Sequence, residues 1–245
     1  MPPKKKEEEV KKVILGRASN TLRMGLVGLP NVGKSTIFNI MSNLSVPAEN
    51  FPFCTIDPNL ARVFIPDKRF DKLLEMYRPK SEVGATITIT DIAGLVKGAS
   101  EGAGLGNAFL SHIAAVDGIY HVVRAFEGEE IIHDEGDVNP TRDMDIIHGE
   151  LIAKDLQHLA AKIDDLDKII KRTNAKVARD EMEVLQRVDA MLKELKNVRD
   201  GEWSAKDIEF LNGHNFITAK PVVYVVNISQ EDYIKKKNKY LPKIL

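Results

Sequence analysis

The chain has 245 residues, 43% of them hydrophobic, and a formal net charge of -1, which excludes a disordered chain and argues against a dedicated nucleic-acid binder, DNA included. That length can bury a sizeable core as one large or two small domains, and no apolar run approaches the ~18 residues that cross a bilayer. A single cysteine, Cys54, cannot form an internal disulfide, which fits a reducing compartment and predicts a cytoplasmic protein.

In chain order, residues 1–20 are rich in lysine and glutamate with few apolar anchors, which predicts a flexible charged arm. Its start, Met1-Pro2-Pro3-Lys4-Lys5-Lys6, has no apolar stretch behind the charges and is not expected to be a signal peptide. Met24 to Val27 closes a first strand over 23–27. Gly28-Leu29-Pro30-Asn31-Val32-Gly33-Lys34-Ser35 follows, of the form G-x-x-x-x-G-K-S, and a helix is expected over 34–43. Strand, glycine loop and helix make the context in which this pattern holds a phosphate. The glycines let backbone N–H groups turn toward phosphate oxygens at the positive end of the helix. Lys34 would reach the β- and γ-phosphates, and the Ser35 hydroxyl would ligate Mg²⁺. The competing reading, a glycine turn with Ser35 as a helix cap, requires a chance match over the whole pattern.

Ser45 to Pro58 is a turn-rich loop in which Pro47, Pro52 and Pro58 fix extended backbone. A second strand is expected over 61–65 and a helix over 67–77, with Phe70, Leu73, Leu74 and Tyr77 on one side. Thr86-Ile87-Thr88-Ile89-Thr90 alternates strictly and reads as a half-buried strand ending at Asp91. Gly94, Gly98, Gly102, Gly104 and Gly106 then make a loop of 92–106. A helix over 107–115 and a strand over 118–126 follow. Strands separated by helices point to a parallel, right-handed α/β sheet.

The character changes over 141–199. Ile152, Leu156, Leu159, Ile163, Leu166 and Ile170 recur at heptad spacing, and a second series runs Val184, Val188, Met191, Leu195, Val198. Two such helices joined near Thr173-Asn174-Ala175 predict an antiparallel hairpin inserted into the α/β body, because strand-like sequence resumes at 221–226. The run Lys235-Lys236-Lys237-Asn238-Lys239 reads as a solvated linker, with RNA contact as the alternative.

The glycine loop alone fits a kinase, a motor or a switch NTPase. Asp91-Ile92-Ala93-Gly94 narrows the choice: D-x-x-G at the end of a strand places an aspartate on Mg²⁺ through water and a glycine N–H on the γ-phosphate. Thr55, in the proline-rich loop, is a further candidate ligand, since Mg²⁺ takes about six oxygens that two hydroxyls, phosphates and waters can supply. Asn227-Ile228-Ser229-Gln230 stands where a GTPase carries N-K-x-D. Neutral Gln230 cannot give guanine the paired charge-assisted contact of that aspartate, so ATP is expected over GTP, with the main chain around Ile228 reading the adenine edge. A shift in register that brings Glu231 or Asp232 into place is the alternative.

The segments 28–35, Asn50-Phe51-Pro52-Phe53-Cys54-Thr55-Ile56 and Asp91-Ile92-Ala93-Gly94-Leu95-Val96-Lys97-Gly98-Ala99, continued by 102–110 and Asn227, resemble the Obg-like ATPases, the YchF branch of the translation-factor-related P-loop NTPases. The resemblance implies a Ras-like G domain over 21–245, a mostly parallel sheet flanked by helices, with a coiled-coil hairpin inserted at about 141–199. It also implies ATPase activity exceeding GTPase activity and association with the ribosome or a ribosomal subunit, in translation or a stress response. Asn31, Val32, Gly33, Lys34, Ser35 and Thr36 would line the phosphates and Asn227, Ile228 and Gln230 the base. Lys34 and Gly94 would serve hydrolysis, and Asn31 would help bind K⁺. Leu95 stands where Ras-like switches carry a water-orienting glutamine, and the resemblance points to His133 instead, with a surface histidine as the alternative.

The family usually has N-x-x-E where this chain has Gln230. It also continues with a last strand and helix of the G domain and a ubiquitin-like TGS domain, both absent from this sequence, so the strand at 221–226 is expected to be a sheet edge. A monomer or weak dimer is expected. A nucleotide-binding fragment with little turnover and a true GTPase are the rival readings.

Overall fold

The computed structural model describes residues 14–16, 21–42, 59–92, 94, 98, 111–128, 131, 133, 135–173 and 175–244. Thr55 and Leu95, and most of the expected loops at 45–58 and 92–106, lie outside them.

The strands β1 (Leu22–Val27), β2 (Leu60–Phe64), β3 (Thr86–Asp91), β4 (Gly118–Ala125) and β5 (Val222–Ile228) form one sheet in the order β2-β3-β1-β4-β5. Three of its four pairings are parallel, with Met24 opposite both Ile89 and Gly118 and with Ile119 opposite Val222. Helix α1 (Lys34–Ser42) packs Phe38 into the sheet core with Leu26, Ile89, Ile92, Ile119 and Val122. The fold is a Ras-like P-loop NTPase sheet flanked by helices.

β2 departs from the parallel rule, running antiparallel to β3 with Leu60 opposite Thr90. Helix α2 (Lys68–Tyr77) therefore lies on the connection of an antiparallel pair and not in a crossover over the sheet. It is well capped: the Asp67 carboxylate accepts from the Arg69 N–H, and Arg78 closes the far end in the left-handed region. Its expected apolar stripe is only partly covered among the described residues, with Phe70 and Leu74 half-buried and Leu73 52% and Tyr77 75% exposed.

The insertion consists of α3 (Pro140–Thr173) and α4 (Lys176–Lys193). At 34 residues, α3 is about 50 Å long. Ile147 and Leu151 in its first turns belong to the sheet core. From Ile152 onward its stripe joins Val184, Leu185, Val188, Leu192 and Phe216 in a second core. The second series differs from expectation near its end. α4 stops at Lys193, and Leu195 adopts φ 58 and is 64% exposed. Lys196 N–H reaches back to Met191 O and Leu195 N–H to Leu192 O, a Schellman closure. Val198 is buried in a separate 3₁₀ turn.

Helix α5 (Ala205–His214), with a capping box between Ser204 and Asp207, leads to a 3₁₀ turn at Ile217–Ala219 and on to β5. Asp155, buried on α3, accepts from Ile217 N–H, Thr218 N–H and Thr218 Oγ1 at 2.9, 2.7 and 2.6 Å, which fastens the insertion to the entrance of β5. The expected flexible arm is corrected at its end: Gly16 N–H donates to Asn212 Oδ1, Asn212 Nδ2 donates to Ile14 O, and Leu15 packs on the second core. Of the helix expected over 107–115, residues 111–115 are described and helical. β5 runs two residues further than the pattern indicated and is the outer strand among the described residues. It is followed by α6 (Gln230–Lys235) and α7 (Leu241–Ile244).

Candidate nucleotide site

The carboxyl ends of β1, β3, β4 and β5 meet at one edge of the sheet, where open α/β sheets bind ligands. β1 delivers the chain directly into the glycine loop, whose apolar residues Leu29 and Val32 are buried and hold it to the core. Two loop residues take left-handed backbone, Asn31 at φ 58 and Gly33 at φ 99. Left-handed residues that alternate with others along a loop turn N–H groups to one side, the geometry of an anion cradle. Lys34 is buried and its Nζ donates to Leu29 O at 2.8 Å, arching across the loop. Ser35 and Thr36, in the first turn of α1, are exposed.

The Ser35 hydroxyl donates to Asp91 Oδ2 at 2.8 Å, joining α1 to the end of β3. The other oxygen, Asp91 Oδ1, is buried and accepts no hydrogen bond among the described residues. A buried carboxylate oxygen left unsatisfied is costly, and a cation or its water would satisfy it. The hydroxyl and the carboxylate are hard oxygen donors beside the phosphate cradle, so the residues present fit Mg²⁺. Gly94 lies against the loop: a Cβ there would sit 3.1 Å from Pro30 N. The structure therefore brings Asp91 and Gly94, of one motif, to Ser35 and Pro30 of the glycine loop, some 56 residues earlier in the sequence.

Asn227 reaches the same place with a role not foreseen. Its Nδ2 donates to Val32 O at 3.0 Å, and a Cβ on Gly33 would lie 2.4 Å from that nitrogen. Asn227 thus holds the phosphate loop from β5. It lies within the strand, opposite Arg124, and Ile228 lies opposite Ala125, which corrects the expectation that these residues follow the strand. Ser229 caps α6, and Gln230 is its exposed first residue. Beside them a depression of 530 Å³ is lined by residues that include Phe126, Glu127, Ser229 and Tyr240. The acids of the alternative register are both engaged, Glu231 with Lys235 and Asp232 with Asn238 Nδ2.

His133 is held in a hydrogen-bonded cluster. It is buried, with Nε2 2.8 Å from Asp143 Oδ2 and Nδ1 accepting from Glu135 N–H at 3.2 Å. With Nδ1 an acceptor, the ring proton sits on Nε2 and is donated to Asp143. Arg142 closes the cluster through Asp143 and Asp137. Both ring nitrogens are engaged at the start of α3, and among the described residues no hydrogen bond joins His133 to the glycine loop.

Residues 23–152 match the family model described as 50S ribosome-binding GTPase. Over 247 residues the chain is 58% identical to Obg-like ATPase 1 of rice, Oryza sativa subsp. japonica, covering 100% of this chain and 63% of that protein. The human protein of the same name is 52% identical over 247 residues, with 62% of it covered. The chain belongs to the Obg-like ATPase family. The YchF GTPase of Schizosaccharomyces pombe superposes with a TM-score of 0.80 at 50% identity, over 95% of this chain and 63% of that one. The chain thus spans 63% of the length of the rice Obg-like ATPase and of the fission-yeast structure. Family membership covers the strand, glycine loop, helix and D-x-x-G described above, all of which lie within the matched residues up to 152.

Proposed function

We propose that this Obg-like ATPase family member binds ATP with Mg²⁺, in preference to GTP, and hydrolyses it as a nucleotide-dependent switch. The observation that carries the reading is the Ser35 to Asp91 hydrogen bond beside the glycine loop, with Asp91 Oδ1 buried and without a hydrogen bond among the described residues. Ser35, Thr55 and, through water, Asp91 would hold Mg²⁺, which when bound neutralises charge on the β- and γ-phosphate oxygens. Lys34 would leave Leu29 O for those oxygens, and the Gly94 N–H would meet the γ-phosphate. The backbone from Asn31 to Thr36 would supply the cradle. Asn31 is also the residue that would share a K⁺, offsetting charge that an arginine finger neutralises elsewhere.

Adenine preference rests on Gln230, whose neutral amide cannot make the paired charge-assisted contact to guanine, and on the engagement of Glu231 and Asp232 elsewhere. The relatives named Obg-like ATPase 1 support the same reading, while the fission-yeast relative is called a GTPase. Ribosome association is supported by the description of the matching family model. Among the described residues no helix is long and apolar enough to cross a membrane, which accords with a cytoplasmic setting. A second reading, a nucleotide-binding module with little turnover, is favoured by the engagement of both nitrogens of His133.

Thermal shifts with ATP, GTP and ADP, each with and without Mg²⁺, combined with phosphate release, test the proposal. ATP with Mg²⁺ is expected to raise the midpoint more than GTP does. Ser35→Ala and Asp91→Asn are expected to abolish the Mg²⁺-dependent part of the shift and to lower turnover at least a hundredfold, with the metal-free ADP shift retained. Equal shifts for ATP and GTP would overturn the base preference. Binding without phosphate release, in either Na⁺ or K⁺, would favour the second reading; where phosphate is released, the turnover of His133→Ala separates a catalytic histidine from a structural one.

A further inference from the structure

The chain beyond D-x-x-G is tied to the inserted hairpin. Gly98 N–H donates to Glu150 Oε1 at 2.5 Å. Glu150 is 8% exposed and sits on α3 between Ile147 and Leu151 of the sheet core, two residues before Ile152 of the second core. Gly98 holds φ +82, and a Cβ there would meet nothing within 4 Å among the described residues, so the left-handed turn is what favours glycine. Burying a carboxylate is costly unless it is well bonded, and a charge-assisted bond to a backbone N–H is among the stronger returns.

We propose that Glu150 is a positioning residue for the γ-phosphate-sensing loop, fixing the backbone at Gly98 so that the loop at Gly94 and the hairpin bias one another. The proposal rests on the reading of this chain as a nucleoside triphosphate switch. Gly94 lies on Pro30 at one end, and Gly98 is held by Glu150 at the other. Four residues span at most ~14 Å, so displacement at Gly94 is transmitted to Glu150 once that short length is taken up. Glu150 cannot follow freely, because α3 is packed into both cores on either side of it. The helix continues about 35 Å from Glu150 to Thr173, which enlarges a small tilt at its base into a larger displacement at the hairpin tip. The coupling is reciprocal: whatever biases the hairpin changes the preference for triphosphate over diphosphate by the same factor.

The test uses the 245-residue chain with two substitutions. Glu150→Met keeps length and helix preference but removes the acceptor, and Glu150→Gln keeps an acceptor oxygen. Hydrogen exchange at the Gly98 amide is read in the nucleotide-free protein, and affinities for ATPγS and ADP are read with Mg²⁺. Glu150→Met is expected to speed Gly98 exchange at least tenfold while amides over 152–166 keep their rates. It is also expected to lower the ATPγS-to-ADP affinity ratio at least threefold with ADP affinity unchanged, and Glu150→Gln is expected within twofold of the parent throughout. Unchanged Gly98 exchange in Glu150→Met, or equal loss of both nucleotides, overturns the proposal. A parent chain that binds neither nucleotide overturns the functional reading and this coupling with it. A parent that prefers the triphosphate, beside a Glu150→Met variant that prefers it equally, overturns the coupling alone. Should Glu150→Met fail to fold, Gly98→Ala strains the same turn without a clash: a lowered ratio supports the proposal, and a parental ratio overturns it.

Discussion

Gly33 and Asn227 act as one unit in the phosphate loop. A methyl group on Gly33 would occupy a φ of +99 and press within 2.4 Å of Asn227 Nδ2, the atom that holds Val32 O. Gly33→Ala is therefore expected to lower nucleotide affinity at least tenfold, about 1.4 kcal/mol, and to cost roughly 1–3 kcal/mol of stability through backbone strain. Titration calorimetry and urea unfolding measure the two effects. Asn227→Ala, which removes the bond without straining the loop, is expected to cost about 1 kcal/mol. The glycine loop was legible in the sequence because its residues are contiguous and the chemistry of each is local. The role of Asn227 was not, because its partner is 195 residues away and only the folded sheet brings the two together. The same holds for Ser35 and Asp91: a motif at each end of a separation of 56 residues was readable, while the unsatisfied oxygen between them was not.

Single elements were legible where period and punctuation agreed. The stripe on α3 follows from heptad spacing alone. The end of α4 did not follow, because Leu195 continues the spacing and no glycine or proline marks the stop. That residue now holds a left-handed turn that favours glycine, with its side chain 64% exposed. Leu195→Gly is expected to stabilise the protein by roughly 0.5–1 kcal/mol, visible as a raised thermal midpoint. Asp155 gave a signal that went unused, an acid between Ile152 and Leu159 on the apolar side of the helix. Burial raises its pKa, against the pull of Thr218 and Ile217 donors that favour the charged form. Asp155→Ala would strand two buried backbone N–H groups and a hydroxyl, at about 1–3 kcal/mol for each unsatisfied donor. A loss of at least 2 kcal/mol in urea unfolding is expected, and a loss below 0.5 kcal/mol would mean that the staple is replaceable.

At the scale of the whole molecule, the sequence predicted an α/β sheet with an inserted hairpin, and the structure adds how the two are joined. Strand order and the antiparallel edge at β2 depend on which strands meet, which no local pattern encodes. Nor does any pattern announce that α3 serves two cores or that a histidine is enclosed where sheet and insertion meet. His121, on β4, is buried with its ring 5.3 Å from that of Tyr224 on β5. Burial, aided by the positive charges of His148 on α3 and Arg199 beyond α4, pushes its pKa down to about 4 from an ordinary 6.5. The unfolded chain therefore takes up a proton near pH 6.5 that the folded chain refuses until about pH 4. The stability linked to His121 is fully present above pH 6.5 and is lost as pH falls through 4, a total of about 3 kcal/mol at ~1.4 kcal/mol per pH unit. Between pH 7 and pH 5 the loss from this residue is roughly 2 kcal/mol. His121→Phe keeps a ring against Tyr224 and removes the titration, so its unfolding free energy should fall less over that interval, by about that amount. Urea unfolding of both proteins at pH 7 and pH 5 isolates the effect, because carboxylates and the other histidines titrate in both. Parallel losses in the two proteins would show that His121 protonates without opening the joint between sheet and hairpin.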